Sequence, residues 1–215
     1  MTTRDEFLTA TEKLKLVPPS QAYLGKSYGT WAADFWQYVF SIPAARNPLN
    51  DETGANAYEQ NTGDVFFLSG SLERSSNKSF TRHITIPRGK AIFVPIACCE
   101  VSEAEAFGLP EQLLFEIGRR DIDQVTDMYL DTNGEKVLNK DLLQNYFRIE
   151  SSLFELAIPP DGLAGLPHGR TRTISVGYFV LLRSLPGAQG GTTVKIYAKR
   201  RDFVIDVTYE INRPE

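Results

Sequence analysis

Apolar and polar positions along this chain alternate mostly with the period of strands. Between Ser79 and Ile86, the residues Phe80, Arg82, Ile84 and Ile86 alternate with Thr81, His83 and Thr85, so an extended segment puts the two sets on opposite faces. Ile174, Val176, Tyr178, Val180 and Leu182 repeat the pattern. So do Val194, Ile196 and Ala198 against Thr193, Lys195 and Tyr197, and Phe203, Ile205, Val207, Tyr209 and Ile211 share one face of a last strand. Further strands are expected at Asp64–Ser69, Ser79–Ile86 and Lys90–Ala97, with one or two more in YFRIESSLFELAIP. The run AIFVPIA is apolar on both faces, which predicts a central strand covered on both sides. Pro95 within it has no N–H to give to a ladder, so a bulge or an end of pairing is expected there.

Helical spacing is confined to a few segments. Asp5 to Leu14 is weakly periodic and is ended by Val17-Pro18-Pro19. Ser27 is placed to cap a second helix whose Ala32, Phe35, Trp36, Val39 and Phe40 form one apolar face, closed by Ile42-Pro43. From Val101 to Asp123 the pattern is helical and acidic, with Pro110 as a first-turn proline, and reads as a surface insertion. Arg46 to Gly63 is polar and turn-rich, and suits a long ordered loop. Asn133-Gly134 supplies the residues a tight hairpin turn requires, and that reading prevails over a calcium loop built on Asp131, Asn133 and Glu135, whose ligand series is incomplete. A turn is expected over Leu185 to Gly191 and another at Lys199-Arg200-Arg201. Together these elements predict a mainly β chain: a two-layer antiparallel β-sandwich, jelly-roll or Ig-like, as a single domain over 1–215. A helical segment over 1–45 packs on it, and a helical insertion lies near 101–123.

Composition narrows the chemistry. With 42% apolar and 23% charged residues among 215, the chain has enough apolar side chains for one sizeable core. A net charge of −4 gives no electrostatic reason to expect nucleic acid as a partner. No apolar run reaches the length of a signal peptide or a membrane span, so a soluble, cytoplasmic protein without a membrane partner is expected. Cys98 and Cys99 are adjacent, which disfavours a disulfide, and with His83 and His168 they lack zinc-ligand spacing. They are read as reduced core thiols. Glu100, Glu103 and Glu105 would not converge on one helical face, so no metal is assigned. Nucleotide, dinucleotide, serine-nucleophile and HExxH motifs are missing from the sequence, and no cofactor is assigned.

Arg82 is the sharpest single residue. A guanidinium on the core face of a strand needs partners, and Glu100 is the first choice, Asp34 the second. Its role is either to lock the N-terminal helix and loop onto the sheet or to clamp an anionic ligand. Glu100, at the end of an apolar strand, is a candidate acid or base if burial raises its pKa, or else a simple partner of Arg82 or Lys90. His83 points away from Arg82, whereas His168 lies on a loop that can approach a pocket mouth. The aromatic helix is either a plug on the sheet or a ligand platform.

The blocks also resemble an uncharacterised bacterial and archaeal β-sandwich family, many of whose members are secreted. The residues that carry the likeness are Trp31, Phe35 and Trp36 of the helix ending in Ser41-Ile42-Pro43, then Thr53-Gly54, Gln60, Val65-Phe66-Phe67-Leu68 and Gly70. Arg82, Pro87, Gly89-Lys90, Phe93, Pro95 and Glu100 follow, and the later hairpin and final strands are similar too. The resemblance implies a common architecture and no particular activity. Ala57 and Ile84 stand where such proteins often have cysteines, so the disulfide implied by the resemblance cannot form, in keeping with a reducing compartment. Cys98 stands where they often have asparagine.

Three functions are therefore open. The first is a non-catalytic protein binding a small molecule or glycan in a concavity formed by Trp31, Phe35, Trp36, Gln60, Arg82 and Lys90. The second is a cofactor-independent cyclase, isomerase or hydrolase using Glu100 as acid/base and Arg82 as electrostatic stabiliser, with His168 nearby. The third is a structural or homo-oligomer-forming protein.

Overall fold

Among the described residues the alternating segments form ten strands, and with 39% strand against 25% helix the protein is mainly β. The computed structural model describes residues 3–72, 78–106, 108–184 and 191–213. Most of the turn expected over Leu185 to Gly191 lies outside the described residues. Helix α1 (Thr3–Leu14) and α2 (Tyr28–Phe40) precede β1 (Val65–Phe67), β2 (Phe80–Thr85) and β3 (Ala91–Ser102). Then come α3 (Glu111–Ile122), β4 (Val125–Thr132), β5 (Glu135–Leu138), α4 (Lys140–Tyr146), β6 (Arg148–Glu150) and β7 (Phe154–Ile158). β8 (Gly169–Leu182), β9 (Thr192–Arg200) and β10 (Phe203–Asn212) complete the order.

The strands make two five-stranded sheets. One runs β1-β3-β8-β6, with β7 also paired to β8; the other runs β2-β10-β9-β4-β5. Both are mixed, which corrects the purely antiparallel expectation: β1 lies parallel to β3, and β2 parallel to β10. The cause is a crossover. β2 lies between β1 and β3 in the chain but belongs to the other sheet, so the chain leaves the first sheet and returns in the same direction.

Helix α2 begins where expected, with the Ser27 side chain accepting from the Thr30 N–H at 3.2 Å. It covers the sheet face that carries Ser175, since Trp36 Nε1 donates to Ser175 Oγ at 2.9 Å. Helix α3 covers the opposite face, because Gly118 is seated over the neighbouring Val176 and Ile174. The helix expected as a surface insertion is thus part of the packed body, resting on β3 and β8. It starts later than the pattern suggested: 101 and 102 still belong to β3, and Pro110 is the residue before the first turn. Lys199 and Arg200 likewise end β9, and the turn itself is at 201–202, with Arg201 at φ 49°.

The hairpin at Asn133-Gly134 forms as expected, with φ of 54° and 79°. Pairing between β3 and β8 slips between Pro95 and Ala97, the bulge that the proline requires. Among the described residues no helix is long and apolar enough to cross a membrane.

Candidate functional site

Arg82 is 1% exposed, so its guanidinium is inside the protein as its strand position demands. Among the described residues its partners are not carboxylates. Nε donates to the Asp51 carbonyl at 2.7 Å, and Nη1 donates to the carbonyls of Ser69 (2.7 Å) and Gly70 (3.0 Å) and to the Tyr209 hydroxyl (2.6 Å). The expected pairing with Glu100 or Asp34 is corrected: Asp34 binds Lys26 at 2.7 Å, and Glu100 sits elsewhere. Carbonyl oxygens can hold a buried cation because each presents lone pairs at no further desolvation of an anion. Arg82 therefore ties the loop before β1 and the segment after it to the second sheet.

The Asp51 carboxylate organises that same loop. It accepts from the Thr53 N–H (2.8 Å), the Thr53 hydroxyl (2.9 Å) and the Asn56 N–H (2.9 Å). Burial pushes its pKa up, but these hydrogen bonds together outweigh burial and leave it lowered. Gly54, at φ 95°, brings the loop so near β2 that a Cβ would lie 2.9 Å from Ile84 and 3.2 Å from the Arg82 Cβ. The His83 N–H donates to the Thr53 carbonyl at 2.9 Å, so the loop shields the outer edge of β2.

A cavity of about 310 Å³ lies between α2, β3 and the β9–β10 hairpin. Phe35, Trp36 and Phe40 give it an aromatic wall, and Phe203 and Ile205 a second, apolar one. Trp36 and Phe40 are four residues apart and share a stripe of α2; Trp31, five residues before Trp36, is turned about 140° around the helix. Trp31 instead donates to the Tyr23 carbonyl at 3.2 Å under the Lys26 ammonium. The bulge at Pro95 brings Ile96, Cys98 and Glu100 to the lining. A second cavity, of about 620 Å³, lies under α3 and shares Cys99, Glu100, Glu105 and Asp121 with the first. Those shared side chains are the partition between the two.

Glu100 is the chemical centre of this partition. Its carboxyl accepts from the Thr173 hydroxyl at 2.7 Å and lies beside the Glu105 carboxyl in the shared lining. Burial first, and then the Glu105 charge, raise its pKa from 4.5 to about 8, with only the Thr173 bond opposing. Glu100 is still half-buried by surface area, since part of it opens into the cavities. At neutral pH it is mostly a neutral acid, able to donate a hydrogen bond. Glu105 is fixed by the Ser102 N–H (3.1 Å) and the Ser102 hydroxyl (2.9 Å). Arg200, ion-paired with Asp121, brings a guanidinium to the rim. Burial raises the Cys98 thiol, and pushes Cys99 up to about 12, so both are thiols and poor nucleophiles.

The other expected site residues are dispersed. Gln60 is exposed and accepts from the Ser41 hydroxyl at 3.2 Å; Lys90 donates to the Thr62 carbonyl at 3.1 Å. His168 is exposed in the loop just before β8, and His83 pairs with Glu210 at 3.1 Å on the outer face of the second sheet. The structure thus brings Phe35, Trp36 and Glu100 together, and leaves Arg82, Trp31, Gln60, Lys90 and His168 outside the lining. Phe40, Asp121, Arg200 and Phe203 join the site without having been assigned to it, and so does Glu105, weighed in the sequence only as a metal ligand. Phe40 carried a signal in its i+4 spacing from Trp36, whereas Glu105 carried none: its approach to Glu100 depends on a turn at 103–106 replacing a helix.

No family model matches the chain, and no curated protein matches it. One solved structure, described as "Structure of PbICP-C in complex with falcipain-2", is similar at 9% sequence identity, covering 71% of this chain and 100% of that chain with a TM-score of 0.28.

Proposed function

We propose that the protein binds a small, largely apolar molecule in the cavity under α2, with Glu100 donating a hydrogen bond to an acceptor oxygen on that molecule. The observation that supports this reading is a half-buried carboxyl lining a cavity with Phe35, Trp36, Phe40 and Phe203, in a setting where burial favours its neutral form. A pocket walled by Phe35, Trp36, Phe40, Phe203 and Ile205 suits a ring system better than a glycan, whose hydroxyls would leave their water without replacements. The wider architecture in this reading is a two-layer sandwich, supported by β3 meeting β4 and β9 of the other sheet. Titration with N-phenyl-1-naphthylamine tests the binding. Saturable fluorescence enhancement is expected, weakened by Leu72→Glu at the exposed rim of the cavity. Absence of binding, or equal binding to that variant, overturns the reading.

A second reading, cofactor-independent catalysis, is favoured by one observation. Glu100, its pKa raised to about 8 by burial, lines the same cavities as a second carboxyl, Glu105, and paired carboxyls of this kind are what acid–base chemistry uses.

A further inference from the structure

We propose that the groove across one end of the second sheet binds a short uncharged saccharide, at a site separate from the aromatic cavity. The groove has a volume of about 570 Å³ and is lined by residues of β2, β10 and β9, the β4–β5 turn and Tyr58 of the loop before β1. Strand register sets out its floor. His83 stands opposite Glu210 and Glu210 opposite Thr193, and paired residues present their side chains on one face. The Asn133 N–H donates to the Thr193 carbonyl at 3.1 Å, so these four residues make one row across β2, β10, β9 and the turn. With neighbouring strands ~4.8 Å apart the row is ~14 Å long, enough for more than one sugar ring.

The row offers what hydroxyls lose on leaving water. His83 meets Glu210 through Nδ1 and Oε2 at 3.1 Å, which leaves Nε2 and Oε1 for a ligand. Asn133 spends its side-chain oxygen on the Thr193 N–H at 2.9 Å and keeps its amide N–H groups as donors. Thr193 and Asn212 add a hydroxyl and a second amide to the same lining. Among the described lining residues there is no lysine or arginine, and the one carboxylate is engaged by an imidazole, so hydroxyls suit the groove better than a phosphate or an ammonium. Tyr58 supplies the apolar element. Its ring is 44% exposed, and its hydroxyl is held by the Thr85 backbone, donating to the carbonyl at 2.7 Å and accepting from the N–H. A ring already fixed in place can stack on the C–H face of a sugar with little further loss of side-chain freedom. The cavity under α2, with Phe35, Trp36, Phe40 and Phe203 in its lining, has the opposite balance, and the two sites take different ligands.

The test is an array of immobilised short oligosaccharides of glucose, galactose, mannose and N-acetylglucosamine, with sialylated and sulfated forms as a charged set. The parent is expected to bind at least one neutral member. Tyr58→Ala and Glu210→Ala are each expected to weaken that binding about 10-fold or more, the size of loss an anchoring contact carries. Both should still bind N-phenyl-1-naphthylamine as the parent does, which shows that each is folded. Leu72→Glu, at the rim of the other cavity, should leave saccharide binding unchanged, so failure at one site is read separately from failure at the other. A parent that binds no neutral oligosaccharide or only charged ones, or neutral binding that survives in either variant, overturns the inference.

Discussion

The Tyr209 hydroxyl stands between the Arg82 guanidinium and the Ser69 backbone: it accepts from Nη1 at 2.6 Å and donates to the Ser69 carbonyl at 2.7 Å, while the Ser69 N–H donates back to it at 3.0 Å. The ring also lies 5.4 Å from the guanidinium carbon. One phenol thereby joins β10, β2 and the segment after β1.

Tyr209→Phe keeps the ring and removes the hydroxyl, leaving a buried cation and a buried N–H each short of one partner. A loss of about 1–3 kcal/mol is expected in urea unfolding. Arg82→Ala takes the donor from the buried Asp51 and Gly70 carbonyls, leaves Ser69 with Tyr209 alone and opens a void, and is expected to cost more. Dye binding by Tyr209→Phe should match the parent, since Tyr209 and Arg82 stand outside the cavity lining.

Stability should fall as pH rises through the range over which Glu100 keeps its proton only when folded. Its carboxyl is raised from 4.5 to about 8 by burial and the Glu105 charge. Below 4.5 it is protonated in both states and adds no slope. Between 4.5 and about 8 the unfolded chain releases a proton that the folded chain retains, which lowers stability by up to ~1.4 kcal/mol per pH unit. Above 8 the slope ends. Glu100→Gln removes this slope while leaving the neighbouring Glu105, Asp121, Arg200 and both thiols in place. Urea midpoints should show the variant more stable than the parent at pH 8 to 9, with the advantage gone near pH 4.

Gly177 faces Cys98 across β8 and β3 with no room for a side chain. A Cβ there would fall 2.4 Å from the Cys98 Cβ and 2.7 Å from the Ala97 carbonyl oxygen. Gly177→Ala must push two paired strands apart beside the bulge, and a destabilisation of about 1–3 kcal/mol is expected. Because Cys98 lines the cavity, thermal melts and dye titration should change together.

Both cysteines should resist alkylation in the native state. Burial holds Cys98 well above the usual thiol range and Cys99 at about 12, where the Glu100 charge adds to burial and Arg200 opposes it. Iodoacetamide at pH 8 should label them far more slowly than the same protein in urea, as read by mass spectrometry. Equal rates would contradict the assigned environment.

The strand faces were legible because a period of two is local: Phe80, Arg82 and Ile84 point inward on the evidence of their own neighbours. The same logic placed Arg82 in the core but could not name its partners. Buried guanidinium groups suggest a carboxylate, whereas here the loop from Asp51 and the segment at Ser69 and Gly70 supply carbonyls, and carbonyls leave no mark in a sequence. Parallel pairing of β1 with β3 was hidden for a related reason, since it depends on which sheet β2 joins. Helix α4 was overlooked although Asn139 caps it, accepting from the Leu142 N–H at 2.9 Å, with Asp141 in its first turn. Glu100 was identified from its place at the end of an apolar strand. Glu105 was dismissed because helical spacing was assumed between them, whereas the strand runs on to Ser102 and then turns back.

The protonation state of Glu100 in contact with a bound molecule is the claim on which the rest depends. Carbon-13 NMR of the glutamate side-chain carboxyl, assigned by comparison with Glu100→Gln, reads it directly. The account predicts one glutamate resonance titrating near pH 8 and shifting when N-phenyl-1-naphthylamine is added. A Glu100 resonance that titrates near 4.5 and does not respond to the dye would contradict it.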